Sequence, residues 1–152
     1  MVGVLIISHG VLAETLVSEA QHLIGKLPKV RGVSIRPKEN QKEISNRIKA
    51  KMAEVDQGDG IMILTDVLGG TPTNLSLPLL KDKSIQVVTG VNVPMLLALS
   101  SYRGRSLEEI CHLVKKAGRR SIIMVKETLG MRGKAGRPIR SEDTRRRKQS
   151  CI

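Results

Sequence analysis

Two residues of this chain, His9 and Asp66, combine reactive side chains with positions at the ends of apolar runs. His9 lies two positions after the first apolar run, residues 2–7, and Asp66 directly follows the other, Ile61–Thr65. Both runs are short and rich in β-branched residues, which is typical of strands buried on both faces of a parallel sheet. Parallel strands place their carboxyl ends at one edge of the sheet, so the two side chains can meet although they are distant in sequence. An aspartate that accepts the Nδ1 proton of a histidine leaves Nε2 free as a nucleophile or base.

A glycine pair downstream of Asp66 predicts an anion site. Gly69 and Gly70 can turn their amides outward, and Thr71 is expected to cap the following helix, with Pro72 in its first turn. Unpaired N–H groups and the positive end of a helix dipole favour a negatively charged group, and this arrangement suits a phosphoryl group. The alternative is that the glycines form a turn with no ligand.

The apolar patterns that surround these residues alternate between strands and amphipathic helices. Strands are predicted at residues 2–9, 30–36, 61–65, 85–89 and 121–125. Helices are predicted at about residues 12–27, 40–55, 71–81, from 92, and 106–118, with capping boxes at Asn40 and Ser106. This alternation predicts a three-layer α/β domain with a flavodoxin-like strand order 2-1-3-4, in which His9 and Asp66 flank the switch point.

The composition narrows the classes of function. The chain has 152 residues, 40% of them hydrophobic, and a single aromatic residue, Tyr102. It can bury one aliphatic core, but it offers no aromatic platform on which nucleic-acid bases could stack. Cys111 and Cys151 form no C-x-x-C pair, which favours a reducing compartment. No signal peptide or membrane span is predicted, so we expect a cytoplasmic protein without an integral membrane segment.

The C-terminal segment differs from the rest of the chain in charge. From Arg132 onward, eight Lys or Arg residues stand against Glu142 and Asp143, so this segment carries half of the formal net charge of +12. It contains glycines, and its apolar residues show no helical or strand periodicity. We therefore predict a domain of residues 1–129 followed by a basic, disordered tail of residues 130–152.

Three motifs give the sequence a resemblance to a known family. The segments GVLIISHG (3–10), ILTDVLGGTPTN (63–74) and TGVNVPML (89–96) resemble the IIA component of the mannose family of the bacterial phosphoenolpyruvate-dependent sugar phosphotransferase system. The resemblance covers roughly residues 2–125. It implies four parallel strands and an antiparallel strand exchanged between two subunits, and residues 121–125 stand where that strand would be.

The resemblance also implies roles for particular residues. His9 would be the phosphorylated histidine, which accepts a phosphoryl group from the phosphocarrier protein HPr and passes it to a IIB component or holds it in a regulatory role. Asp66 would orient His9, and Gly70 and Thr71 would belong to the phosphate loop, beside Gly69. We therefore expect a protein-histidine phosphotransferase that forms a homodimer and needs neither a metal nor a cofactor. The sequence identifies no sugar.

Two functions of other classes fit parts of the sequence. Tetrapyrrole metal chelatases also carry an S-H-G segment after a first strand, but they need further metal ligands near His9, and His22 and His112 are poorly placed to supply them. A nucleic-acid binding module would use the basic cluster at residues 145–148, although it would lack an aromatic platform and an Arg-rich helix.

Overall fold

A four-stranded parallel sheet forms the centre of the fold in the computed structural model, which describes residues 1–126. Its strands are β1 (Gly3–His9), β2 (Val30–Ile35), β3 (Ile61–Thr65) and β4 (Ile85–Thr89). The order along the sheet is β2-β1-β3-β4, which confirms the predicted order. β1 and β3 are therefore adjacent, and their register pairs Ile7 with Thr65.

Helices cover both faces of this sheet. They are α1 (Leu12–Ile24), α2 (Gln41–Val55), α3 (Thr71–Ser76), α4 (Val93–Tyr102) and α5 (Leu107–Arg120). A 3₁₀ turn, Leu77–Lys81, follows α3. Met1–Ser121, which contains all of these elements, forms one compact unit.

The two faces of the sheet bury separate apolar layers. Along β1, Val4 and Ile6 belong to one layer, and Leu5 and Ile7 belong to the other, as the two-residue period of a strand requires. Side chains of α1, α4 and α5 complete the first layer, and those of α2, α3 and the 3₁₀ turn complete the second. Because the central strands are buried on both faces, reactive groups can reach solvent only at the strand ends.

Two predicted helices end differently from the expectation. α1 stops at Ile24 rather than at Leu27, because Gly25 leaves the helical conformation with a φ of 81°. The segment predicted as one helix to Lys81 is divided after Ser76. Pro78 explains this division, since it has no N–H for the helical ladder and its ring clashes with the carbonyl four residues earlier.

Of the two predicted capping boxes, one is confirmed. The Ser106 hydroxyl accepts from the Glu109 amide at 3.4 Å, and the Glu109 carboxylate accepts from the Ser106 amide at 3.1 Å. The box predicted at Asn40 is wrong in its geometry. Asn40 caps α2 by accepting from the Lys42 amide at 2.8 Å, two residues on, so the reciprocal pairing with Glu43 is replaced by a simple cap.

Residues 121–125, predicted as an exchanged strand, form no strand in this single chain. Their apolar side chains are exposed, Ile122 by 83% and Met124 by 66%. The partner of an exchanged strand would belong to a second subunit, so the exchange stays a prediction. The predicted tail, including Cys151, lies outside the described residues. Among residues 1–126, no helix is both long and apolar enough to cross a bilayer.

Gly32 controls how closely α1 packs on β2, and replacing it tests this packing. A Cβ atom at Gly32 would lie 2.9 Å from the backbone carbon of Ala13 and 2.9 Å from the amide nitrogen of Glu14. Because the helix must move outward, we expect Gly32→Ala to lower the free energy of unfolding by about 1–3 kcal/mol in urea titrations. Gly104→Ala is the matched control, since no atom lies within 4 Å of a Cβ there. Equal stability of both variants would contradict this account.

Candidate active site

β1 and β3 bring His9 and Asp66 together at the carboxyl edge of the sheet. His9 Nδ1 lies 2.9 Å from Asp66 Oδ2, and the His9 backbone amide donates to the same oxygen at 2.8 Å. His9 is the last residue of β1, and Asp66 is the first residue after β3. The ring is therefore fixed to the neighbouring strand end through both its side chain and its backbone.

The carboxylate determines which ring nitrogen carries the proton. An ionised carboxylate only accepts hydrogen bonds, so Nδ1 must be the donor in the contact with Asp66. In the neutral imidazole, Nε2 then holds an unshared electron pair. The His9 side chain is 48% exposed, whereas that of Asp66 is 15% exposed. The histidine is thus accessible to a large reactant, while the group that orients it is shielded.

Burial and hydrogen bonding shift the pKa of Asp66 in opposite directions. Partial burial is the largest single influence and would raise the pKa of Asp66, because it penalises the charged form. Hydrogen bonds from the His9 amide, the His9 ring and the Val67 amide act the other way, and together they lower the pKa below its ordinary value. Asp66 is therefore ionised at neutral pH and can stabilise positive charge on the ring.

Of the predicted glycine pair, Gly70 lies against the imidazole, whereas no atom lies within 4 Å of a Cβ built at Gly69. Gly69 has a φ of 83°, a conformation that favours glycine. Gly70 has an ordinary φ, but a Cβ atom there would lie 2.7 Å from His9 Cε1 and 3.4 Å from His9 Nε2. The sequence indicated a flexible turn at both positions. At Gly70 the structure shows a different requirement, which is space for the Cε1–Nε2 edge of the ring.

The start of α3 differs in one detail from the prediction. Gly70 occupies the cap position, and Thr71, predicted as the cap, is the first helical residue with an exposed side chain. A residue in the helix already has helical backbone angles, so its hydroxyl is not needed for capping. Within residues 1–126, the backbone amides of Gly69 and Thr71 donate to no acceptor, whereas the Gly70 amide closes a turn at residues 68–69 toward the Val67 carbonyl. The Gly69 and Thr71 amides remain available to a ligand.

Other side chains hold this loop in place, and no sequence pattern predicted their roles. Asn74 donates through its side-chain amide to the Gly69 carbonyl at 3.2 Å, and its backbone amide donates to the Gly70 carbonyl at 2.9 Å. Thr73 donates to the Val67 carbonyl at 2.7 Å. The signal for these roles was present as a pair of short polar residues in α3 directly after the loop.

The remaining candidate groups lie elsewhere and do not join His9. His22 is in the last turn of α1, with Nδ1 3.7 Å from a Glu19 carboxylate oxygen, and His112 is exposed on α5. Burial raises the pKa of the Cys111 thiol to about 11, so this thiol is a poor nucleophile. In the part of the chain that the structure describes, no three His, Cys, Asp or Glu side chains are grouped to hold a metal ion.

The fold and the site define a flavodoxin-like α/β domain whose switch point carries an oriented, accessible histidine. A family model described as the PTS system fructose IIA component matches residues 3–117, where PTS is the sugar phosphotransferase system. This match covers most of the chain. The protein therefore belongs to the mannose family of phosphotransferase-system IIA components.

Individual relatives agree with this assignment. The chain is 30% identical over 128 residues to the PTS system mannose-specific EIIAB component of Escherichia coli strain K12, covering 82% of this chain and 40% of that protein. It is 28% identical over 115 residues to the PTS system sorbose-specific EIIA component of Lacticaseibacillus casei, covering 74% and 83%. The crystal structure of the PTS IIA protein associated with the fucose utilization operon from Streptococcus pneumoniae superposes with a TM-score of 0.73 at 32% identity, covering 84% and 95%.

The lowered pKa of Asp66 predicts a pH-dependent contribution to stability. The pKa in the folded protein lies below the ordinary value of 3.8, so the unfolded chain binds more protons between these two values. The stabilisation is fully present above about pH 4 and is lost as the pH falls through the folded pKa. In urea unfolding below about pH 5, the stability difference between wild type and Asp66→Asn should shrink with decreasing pH. A difference independent of pH would contradict the proposed charge state.

Proposed function

We propose that this chain is a phosphocarrier domain that accepts a phosphoryl group on His9 Nε2 from phospho-HPr and passes it to a IIB component. The observation that carries this proposal is the 2.9 Å contact between His9 Nδ1 and Asp66 Oδ2, which in the neutral imidazole leaves the electron pair on Nε2. Family membership supports the same reaction class. The chain spans 40% of the length of the Escherichia coli relative, whose name combines A and B components.

The pairing of His9 with Asp66 supports a phosphoryl transfer that needs no proton removal. The Nε2 electron pair forms a bond to phosphorus, while the bond from phosphorus to the donor breaks and its electron pair leaves with the donor. The ring becomes positively charged, and the ionised Asp66 stabilises that charge through Nδ1. Phosphoryl transfer needs chiefly positioning and charge stabilisation, so no further base is required.

The loop beside the ring would hold the transferred group. The amides of Gly69, Gly70 and Thr71 would donate to phosphoryl oxygens, and the closeness of Gly70 to the ring, with a built Cβ atom 3.4 Å from His9 Nε2, supports this role. Val67 and Leu68 in the same loop expose 52% and 74% of their surface. Exposed apolar side chains beside a reactive group suit a protein partner better than a small polar substrate.

The proposed chemistry at His9 does not depend on which sugar finally receives the phosphoryl group. The relatives carry names with different sugars, and no sugar-binding role is needed from a domain that only passes a phosphoryl group between proteins. Transfer to a regulatory partner instead of a IIB component uses the same chemistry at His9. The protein-histidine phosphotransferase activity proposed here holds in either case.

We also propose that the protein forms a homodimer by exchange of residues 121–125. β4 lies at the end of the sheet order, and a groove of about 430 Å³ runs between β4 and α5, lined by residues that include Val88 and Cys111. An open strand edge next to such a groove is a template for another strand. The exposed apolar run at residues 122–125 has the composition of a strand that such an exchange would bury.

Labelling of histidine variants tests the proposed acceptor. We expect His9→Ala to abolish labelling by phosphoenolpyruvate, enzyme I and HPr, because only His9 combines an orienting carboxylate with free amides. His22→Ala and His112→Ala are matched controls, which should be labelled at the wild-type level. Acid-labile phosphate bound by the His9→Ala protein would contradict the proposal.

Two truncations test the proposed assembly. Removal of residues 121–152 should convert the protein to a monomer in light scattering at micromolar concentration, because the exchanged segment is gone. Removal of residues 130–152 is the control, and this variant should remain dimeric and should still be phosphorylated on His9. A monomeric full-length protein would refute the exchange without affecting the chemistry, since His9 and Asp66 come from one chain.

A further inference from the structure

Two buried threonine hydroxyls lie directly below the active-site loop. Thr65 ends β3 and is 0% exposed, and Thr73 lies in α3 and is 2% exposed. Their Oγ1 atoms are 2.8 Å apart, within hydrogen-bond distance. Buried polar groups of this kind are retained where they have hydrogen-bond partners, so the partners of this pair show what it holds in place.

The hydrogen-bond directions in this pair follow from the number of protons. The Thr73 hydroxyl has one proton, which it donates to the Val67 carbonyl at 2.7 Å. Thr73 Oγ1 must then accept from the Thr65 hydroxyl. The result is a series of hydrogen bonds that runs in one direction, from the end of β3 through Thr73 to the Val67 carbonyl. Linked hydrogen bonds of this kind strengthen each other in a buried environment.

This series of hydrogen bonds ends at Val67, which contacts the Asp66 oxygen that does not bind His9. The Val67 amide donates to Asp66 Oδ1 at 2.9 Å, while Asp66 Oδ2 accepts from the His9 ring. Both oxygens of Asp66 are therefore held, one by His9 and one by Val67. The position of Val67 depends in turn on the Thr73 hydroxyl, because that hydroxyl fixes its carbonyl.

We propose that Thr73, supported by Thr65, is a positioning residue that keeps Asp66 in the orientation that places the Nδ1 proton of His9. This inference rests on the proposed phosphotransfer at His9. An apolar residue at position 73 would leave the Val67 carbonyl without its hydroxyl partner, and the loop would rearrange to find another donor. The carboxylate would rotate with the loop, and the ring would lose its fixed tautomer.

Three variants separate this role from simple packing. Thr73→Val keeps the shape of the side chain and removes the hydroxyl, whereas Thr73→Ser keeps the hydroxyl. Ser76→Ala is the matched control, because Ser76 is also buried in α3, but its hydroxyl donates its proton to the Pro72 carbonyl at 2.7 Å and not to the Asp66 loop. The readouts are the His9 tautomer, from ¹⁵N chemical shifts of the unphosphorylated protein, and the rate of phosphorylation by phospho-HPr.

The expected effects on tautomer and rate depend on the Thr73 hydroxyl. Thr73→Val should increase the share of the tautomer protonated on Nε2 and slow phosphorylation by about tenfold or more, which corresponds to the loss of one buried hydrogen bond. Thr73→Ser and Ser76→Ala should both keep the wild-type tautomer and a rate within about threefold of wild type. A folded Thr73→Val protein with wild-type tautomer and rate would overturn the proposal.

A second variant covers the case in which Thr73→Val does not fold. Thr65→Val removes the donor to Thr73 but leaves the bond from Thr73 to Val67, so a smaller shift of the tautomer in the same direction is expected. An unchanged tautomer in folded Thr65→Val would then overturn the proposal. If the wild type accepts no phosphoryl group from phospho-HPr, the proposed function fails, while the tautomer comparison still decides whether Thr73 positions His9.

Discussion

The hydrogen bond between His9 and Asp66 is the interaction on which the account of this site depends. A single carboxylate oxygen accepts from both the backbone amide and the ring of His9, which ties the ring to the end of β1. A free imidazole exchanges its proton between both nitrogens, and only one of the two forms presents an unprotonated Nε2. In the proposed reaction, Asp66 selects that form and would stabilise the positive charge that a bond to phosphorus creates.

The fold places this contact where it can be both rigid and accessible. β1 and β3 are adjacent, buried on both faces and held in register, so the positions at which they end are fixed by the aliphatic core. The loop from Asp66 to Gly70 then leaves that core with free amides at its outer end. Stability thus resides in the two apolar layers, and the loop can carry unsatisfied donors for a ligand.

Much of this arrangement could be predicted from the sequence, because it depends on the regular spacing of apolar residues in strands and helices. Ile61–Thr65 was predicted with its observed bounds, and the adjacency of β1 and β3 followed from the α/β alternation. The division at Pro78 was missed because the prediction rested on the start of the helix, at Thr71 and Pro72, and did not use the second proline. The contact of Gly70 with the ring and the Thr73 hydrogen bond were missed because both depend on distances between elements, which no local pattern contains.

The central claim is that Asp66 directs phosphorylation to Nε2 of His9. The most direct test is NMR of ¹⁵N-labelled protein phosphorylated by phosphoenolpyruvate, enzyme I and HPr, in which phosphorus coupling identifies the ring nitrogen that carries the phosphoryl group. The account predicts coupling to His9 Nε2 and a proton retained on Nδ1. Coupling to Nδ1 of His9, or to a nitrogen of any other histidine, would contradict it.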